Sequence, residues 1–164
     1  MVTATQKSWA RRLFVTMLMV GLAALVTPAL SEASAAESTV ESFVLNADTA
    51  DSVSVQAGDF DRCSLKKFGY TGWGYCDTFV SHVTYGDGAQ EWFMIGLDWR
   101  IWHVWAGAGG WKSLGGYAYP ATGNGVWIRQ GPPSPVIIRT IGLDLGDWCR
   151  NRYGGGWGGS WYAC

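Results

Sequence analysis

Two histidines are the side chains of this sequence best suited to acid–base chemistry or metal binding. Either use needs a partner group within reach, yet the residues around His82 and His103 contain no His-x-x-Glu-His or similar ligand spacing. A hydrogen-bonded structural histidine is therefore the default interpretation of both. The sequence predicts no metal site and no cofactor.

A set of aspartates raises the question of glycoside hydrolysis, which uses two carboxyl groups that face each other across the bond. Most of them lie at predicted turns, where an aspartate bonds its own backbone. Ser160 lies in a Gly-Gly-Ser-Trp-Tyr segment, which differs from the Gly-x-Ser-x-Gly turn of hydrolases. No nucleophile with a matched base is visible, and we predict that the protein is not an enzyme. The aspartates in question are Asp59, Asp61, Asp98, Asp144 and Asp147.

The first residues have the order of a secretory signal peptide. Basic residues Lys7, Arg11 and Arg12 precede an apolar run over 13–26, which small residues follow. The run is shorter than the roughly 20 apolar residues that cross a bilayer, which argues against an uncleaved anchor. The arginine pair leaves both general and twin-arginine export open. We predict a secreted, extracellular protein.

Cleavage after Ala35 or Ala36 divides the chain into a signal peptide at 1–35, an extension or first strand at 36–52 and a single domain at 53–164. Without the signal peptide, 9 basic and 12 acidic side chains remain, a net charge of −3. This charge disfavours nucleic-acid binding, and the absence of a further long apolar run predicts no membrane span after cleavage.

Four cysteines in an exported chain are typical of disulfides. We favour Cys63 with Cys76 and Cys149 with Cys164 among the three possible pairings, because each closes a short loop. Such a loop closure contributes about 3 kcal/mol in the chain-entropy model. A zinc site is the competing interpretation, but the close-spaced Cys-x-x-Cys pairs that it usually requires are absent.

An internal repeat of about 46 residues organises the rest of the sequence. Gly96-Leu97-Asp98 aligns with Gly142-Leu143-Asp144, and this alignment brings Trp102 onto Trp148 and Trp111 onto Trp157. An earlier copy begins at Gly58. The repeated tryptophans are best explained as framework residues, because repetition in register is what packing requires.

The repeat predicts an all-β fold. In 101–105, successive side chains are expected to point to opposite sides, as they do in a β-strand. The apolar runs at 92–95 and 136–139 are typical of buried strands, and the Gly-x-Asp turns that follow them would link antiparallel strands. The units, at about 53–76, 77–116 and 117–164, have the size of a propeller blade. Three units are too few for a closed ring, so we expect a partial β-propeller or one completed by homo-oligomerisation, stapled by two disulfides.

The segments 96–105 and 109–116 resemble one blade of the bacterial and fungal propeller lectins. Those blades run Gly-x-Asp-Gly-x-x-Trp-His-x-Trp and close with Gly-Trp-x-x-Leu-Gly-Gly, and Trp99 here stands in the place of the turn glycine. The resemblance implies that sugars bind in clefts between units, against aromatic rings and a few polar groups. His103 would then lie in or beside such a cleft.

We therefore expect a lectin-like module that binds a glycan or cell-surface saccharide in aromatic clefts. Tryptophans that do not repeat in register are free to serve the ligand, because indole covers the C–H face of a sugar. The alternative is a secreted protein-interaction factor, such as an enzyme inhibitor or antagonistic toxin. The predicted ligand-binding residues are Trp99, Arg100, His103, Trp105, Trp127 and Arg129.

Overall fold

The computed structural model describes residues 38–46, 49–54, 61–131 and 134–164. The predicted signal peptide, its cleavage site and the start of the first repeat copy, at Gly58, lie outside the described residues. The chain divides into two units, and the second, Ser34–Cys164, contains all of the described residues.

All regular secondary structure in the described ranges is β-strand. The strands are β1 (Thr39–Leu45), β2 (Ser52–Ser54), β3 (Arg62–Lys67), β4 (Tyr70–Tyr75), β5 (Thr78–Thr84), β6 (Gln90–Ile95), β7 (Ile101–Trp105), β8 (Lys112–Gly115), β9 (Trp127–Gly131), β10 (Ser134–Ile141), β11 (Asp147–Tyr153), β12 (Gly156–Trp157) and β13 (Tyr162–Ala163).

These strands form three antiparallel sheets. Sheet I has the order β2-β3-β4, sheet II the order β1-β5-β6-β7-β8, and sheet III the order β12-β11-β10-β9 with β13 also paired to β11. The prediction of an all-β, antiparallel fold is confirmed. The N-terminal strand β1 pairs with β5 along its whole length, from Thr39 opposite Thr84 to Leu45 opposite Thr78. It therefore belongs to the middle sheet, although it precedes sheet I in sequence.

Sheet II is the central layer because both of its faces are covered. Phe93 and Ile95 of β6 pack with Ile138 of sheet III in one buried cluster. Met94, between them in sequence, packs with Leu65 of sheet I in a second cluster. Since successive side chains of a strand point to opposite faces, β6 is apolar on both sides, which explains its continuous hydrophobic run.

Two disulfides staple the outer sheets. Cys63 in β3 bonds to Cys76 just beyond β4, with Cα atoms 5.1 Å apart. Cys149 in β11 bonds to Cys164, with Cα atoms 5.3 Å apart. Both predicted pairs are confirmed. Disulfides of this kind are consistent with an extracellular protein.

The turns that begin at Gly96 and Gly142 are built alike. In each, the glycine N–H and C=O close the turn, onto Arg100 and Trp99 in one case and onto Gly146 and Leu145 in the other. Trp99 and Leu145 both have left-handed backbones, with φ of 65° and 61°. Trp99, which stands in the place of the turn glycine of the lectin blades, thus has a backbone conformation that glycine adopts more easily than other residues do.

The strand register corrects one part of the sequence alignment. Trp102 lies opposite Ser113, and Trp148 lies opposite Ala163. Trp111 comes two residues before Ser113, and Trp161 comes two residues before Ala163. In the structure, therefore, Trp161 rather than Trp157 is the counterpart of Trp111. The extra hairpin at 153–156 causes the difference, because it lengthens β11 before the chain returns.

Candidate functional site

A buried carboxylate joins sheets II and III. Glu91 of β6 is 5% exposed, and its Oε2 accepts a 2.5 Å hydrogen bond from the Tyr85 hydroxyl. Its Oε1 accepts from the indole Nε1 of Trp157, at 3.0 Å, and bonds to Nδ1 of His103. The guanidinium of Arg152 in β11 approaches Oε2 to 3.8 Å. The Glu91 side chain thus accepts hydrogen bonds from β7 and from the loop after β5, both in sheet II, and from β12 of sheet III.

These contacts decide the charge of the cluster. Burial opposes ionisation of Glu91, but the hydrogen bonds from His103, Tyr85 and Trp157 outweigh it and hold the pKa of the carboxyl below its ordinary value. Burial, together with the charge and hydrogen bond of Glu91, raises the pKa of the Tyr85 phenol. Glu91 is therefore an anion that accepts, and Tyr85 is a neutral hydroxyl that donates.

The bond to Glu91 fixes the His103 ring. Because the carboxylate can only accept, Nδ1 of His103 donates, and in the Nδ1–H tautomer the lone pair of the ring lies on Nε2. Within the described residues, Nε2 makes no hydrogen bond. His103 lies on β7 diagonally across from Glu91, since Phe93 is its direct partner on β6. Sheet pairing thus places the carboxylate and the imidazole side by side on one face.

His103 lines a cavity of about 320 Å³ between sheets II and III, referred to below as the His103 cavity. Trp105, which is 38% exposed, forms one aromatic wall, with its ring centroid 4.9 Å from that of His103. Trp157 forms another, at 6.5 Å and nearly perpendicular. At the edge of the cavity, the guanidinium carbon of Arg152 lies 3.9 Å from the centroid of the Tyr85 ring. The cavity thus combines indole surfaces with an imidazole whose orientation is fixed by Glu91.

The structure brings together two of the six predicted ligand residues, His103 and Trp105, in this cavity. Trp99 lies on the Gly96 turn, where its Nε1 donates to the Tyr75 hydroxyl at 2.8 Å. Its neighbour Arg100 donates to the Tyr117 hydroxyl at 3.2 Å. These two residues are apart from the His103 cavity.

The remaining two predicted residues lie on β9. Trp127 is half-buried against Phe79, with ring centroids 6.0 Å apart, and the Arg139 guanidinium lies 5.6 Å from its ring. Arg129 is exposed on the same strand, opposite Ile137. Neither lines the His103 cavity.

Sequence reasoning missed Glu91, Tyr85, Arg152 and Trp157. Glu91 carried a usable signal, because it is a carboxylate at the start of an apolar run and, in a hairpin register, it shares a face with His103 and Trp105. Trp157 was hidden by its apparent alignment with Trp111. Arg152 carried no signal, because only the packing of sheet III on sheet II brings it near.

Among the described residues, no group of three or more His, Cys, Asp or Glu side chains is placed to hold a metal ion. In the same residues, no helix is long and apolar enough to cross a membrane. Comparison with known proteins finds no family model, no curated protein and no solved structure that matches this chain.

Proposed function

We propose that this protein is a secreted carbohydrate-binding module and that the His103 cavity is its saccharide site. The observation that carries the proposal is the pairing of Glu91 with Nδ1 of His103, which leaves Nε2 as an oriented acceptor beside the partly exposed ring of Trp105. A sugar offers both groups that this arrangement suits, a hydroxyl that donates and a flat C–H face.

The charge balance of the cavity favours a neutral saccharide. The carboxylate of Glu91 is already matched by its hydrogen-bond donors and by Arg152 at 3.8 Å. An additional ligand charge would have to be desolvated without a free counter-charge, which is costly. Neutral hexoses avoid this cost, so we expect them to bind better than sialylated or uronic acid-containing glycans.

Export and architecture support the same role. The signal-like leader and the two disulfides suit an extracellular protein. The three successive antiparallel sheets, the matched turns at Gly96 and Gly142 and the cavity between sheets II and III are the features that a lectin built of blade-like units would have. In such a protein the ligand lies between neighbouring units.

The test is a glycan array that contains neutral, sialylated and cell-wall glycans, followed by calorimetry on the best ligand. We expect His103→Ala and Trp105→Ala each to weaken binding by about tenfold or more, which corresponds to about 1.4 kcal/mol for a lost hydrogen bond or aromatic contact. Trp73→Ala is the matched control, because Trp73 has similar exposure, 41%, but lies outside the cavity. Silence across the array, or equal losses in all three variants, would contradict the proposal.

One observation favours the second candidate, a protein-interaction factor. Leu143 and Leu145 are 48% and 71% exposed on the Gly142 turn, and an exposed apolar turn is suited to a protein partner. Capture of one protein from culture supernatant in a one-to-one complex, lost in Leu145→Asp but retained in Trp105→Ala, would favour this function over saccharide binding.

A further inference from the structure

Two surface grooves outside the His103 cavity are built from the same parts. Groove 1, of about 370 Å³, lies between Gly72-Trp73 of sheet I and the Gly96 turn of sheet II. Groove 2, of about 310 Å³, lies between Gly116-Tyr117 and the Gly142 turn of sheet III. Each is lined by a glycine–aromatic pair, a Gly-Leu-Asp turn and two further tryptophans. The same construction at two sheet boundaries makes the grooves a repeated feature of the surface.

The aspartate in each groove is held in a fixed orientation. Asp98 Oδ1 accepts from the Trp102 indole at 2.8 Å, and Asp144 Oδ1 accepts from the Trp148 indole at 2.9 Å. Hydrogen bonds from Trp148 and from the Gly146 backbone N–H lower the pKa of Asp144, so this carboxyl is ionised at neutral pH. Its second oxygen, Oδ2, makes no hydrogen bond within the described residues.

Each groove therefore combines three aromatic side chains with one carboxylate, which is the only charged side chain that lines it in the described structure. In groove 1 the outermost ring is Trp73, 41% exposed, and in groove 2 it is Tyr117, 51% exposed. Aromatic rings attract a cation through their quadrupoles, and several rings around an anionic group form the usual site for a quaternary ammonium. A phosphate or carboxylate ligand would instead meet the like charge of the aspartate.

We propose that grooves 1 and 2 each bind a small soluble organic cation of the quaternary-ammonium class. The charge of the ligand complements Asp98 or Asp144, and its methyl groups contact the indole and phenol rings. This inference is independent of the saccharide site, because the grooves share no residue with the His103 cavity.

Arg100 provides an internal competitor for such a ligand. Its Nε lies 3.9 Å from Asp98 Oδ2, and its guanidinium carbon lies 5.4 Å from the Tyr117 ring centroid. Arg100 is thus a half-exposed cation that contacts one lining residue of each groove, Asp98 in groove 1 and Tyr117 in groove 2. Removing it should strengthen cation binding by about twofold to fivefold, the range expected for an exposed ion pair, whereas a groove for neutral or anionic ligands would not gain.

The experiment titrates the purified, oxidised protein with choline chloride and with 3,3-dimethyl-1-butanol, the uncharged carbon analogue of choline. We expect two choline sites per chain and binding of the analogue weaker by about tenfold. Asp98→Asn and Asp144→Asn should each remove one site. Asparagine keeps an oxygen that can accept from the indole, so the fold is retained, as near-UV circular dichroism will verify. Arg100→Ala should tighten binding.

Equal binding of choline and its neutral analogue would overturn the proposal, because the grooves would then be merely apolar. Choline binding that survives in the double Asp→Asn variant, or binding confined to phosphatidylcholine vesicles, would also overturn it. His103→Ala separates this result from the saccharide proposal. That variant should lose saccharide binding and keep both choline sites, so that either proposal can fail alone.

Discussion

At the residue scale, Glu91 is a side chain through which sheets II and III are joined by hydrogen bonds. It accepts hydrogen bonds from His103, Tyr85 and Trp157 while almost fully buried. A buried acceptor that loses its charge leaves strong donors without a matching partner. The stability of the contact between sheets II and III therefore depends on this group being ionised.

Glu91→Gln should lower the free energy of unfolding at pH 7 by about 1–3 kcal/mol, as measured by urea denaturation. Because the folded pKa of Glu91 lies below its ordinary value of 4.5, its contribution is present above that value and is lost as the pH falls through the folded pKa. The variant should therefore lose less stability on acidification than the parent. Glu41→Gln, at a carboxylate side chain 76% exposed, is the control; an effect as large there would refute this account.

Tyr85 controls the alkaline side of the stability profile. Its pKa is raised above the ordinary value of 10.0 in the folded state, so only the unfolded chain ionises when the pH first passes that value. Stability from this group is complete below pH 10 and falls as the pH rises further. Tyr85→Phe should flatten the decline between pH 10 and 11 in denaturant melts. An equal flattening in Tyr153→Phe, whose ring is 52% exposed, would argue against the assignment.

At the scale of elements, the two matched turns differ in what covers their left-handed residue. The indole of Trp99 donates to Tyr75 and packs edge-on against Tyr119, whose ring centroid is 6.4 Å away. Leu145, in the same conformation, is 71% exposed. The contacts of the Trp99 side chain therefore offset the strain of its left-handed backbone, whereas the exposed side chain of Leu145 has little to offset the same strain.

Leu145→Gly should stabilise the protein by about 0.5–1 kcal/mol, because relief of the left-handed strain exceeds the added chain entropy. Trp99→Gly should destabilise it by about 1–2 kcal/mol, because a hydrogen bond and an aromatic contact are lost. Thermal unfolding followed by circular dichroism measures both changes. Destabilisation by Leu145→Gly would show that backbone strain does not govern the exposed turn, and stabilisation by Trp99→Gly would show that the contacts of Trp99 do not offset its strain.

Local features of the fold were predictable from sequence, and long-range ones were not. The disulfides and the Gly-x-Asp turns depend on residues close in sequence, so spacing was sufficient to find Cys63–Cys76 and Cys149–Cys164. The pairing of β1 with β5 spans a whole intervening sheet, which no short pattern encodes. His103 and Trp105 are two residues apart on one strand, so the sequence alone could place them together. Arg152 reaches the same cavity only because sheet III packs on sheet II, which the sequence does not show.

At the scale of the whole molecule, the His103 cavity takes its walls from two sheets of one chain. Saccharide binding should therefore show one cavity site per chain, with an affinity independent of protein concentration. Calorimetry at several protein concentrations, with mass measured by light scattering, checks this expectation. Affinity that rises with self-association would instead place part of the site at an interface between copies, as an oligomer-completed propeller would require.

The pairing of β1 with β5 also bears on how fast the chain can refold. Leu45 and Asp77 meet through a 2.7 Å backbone hydrogen bond, so everything between them is a loop that must close before the central layer can form. A covalent bridge between Cys63 and Cys76 shortens that loop in advance. The entropic barrier to closure is then smaller, so the oxidised chain should reach its native state more rapidly than the reduced one.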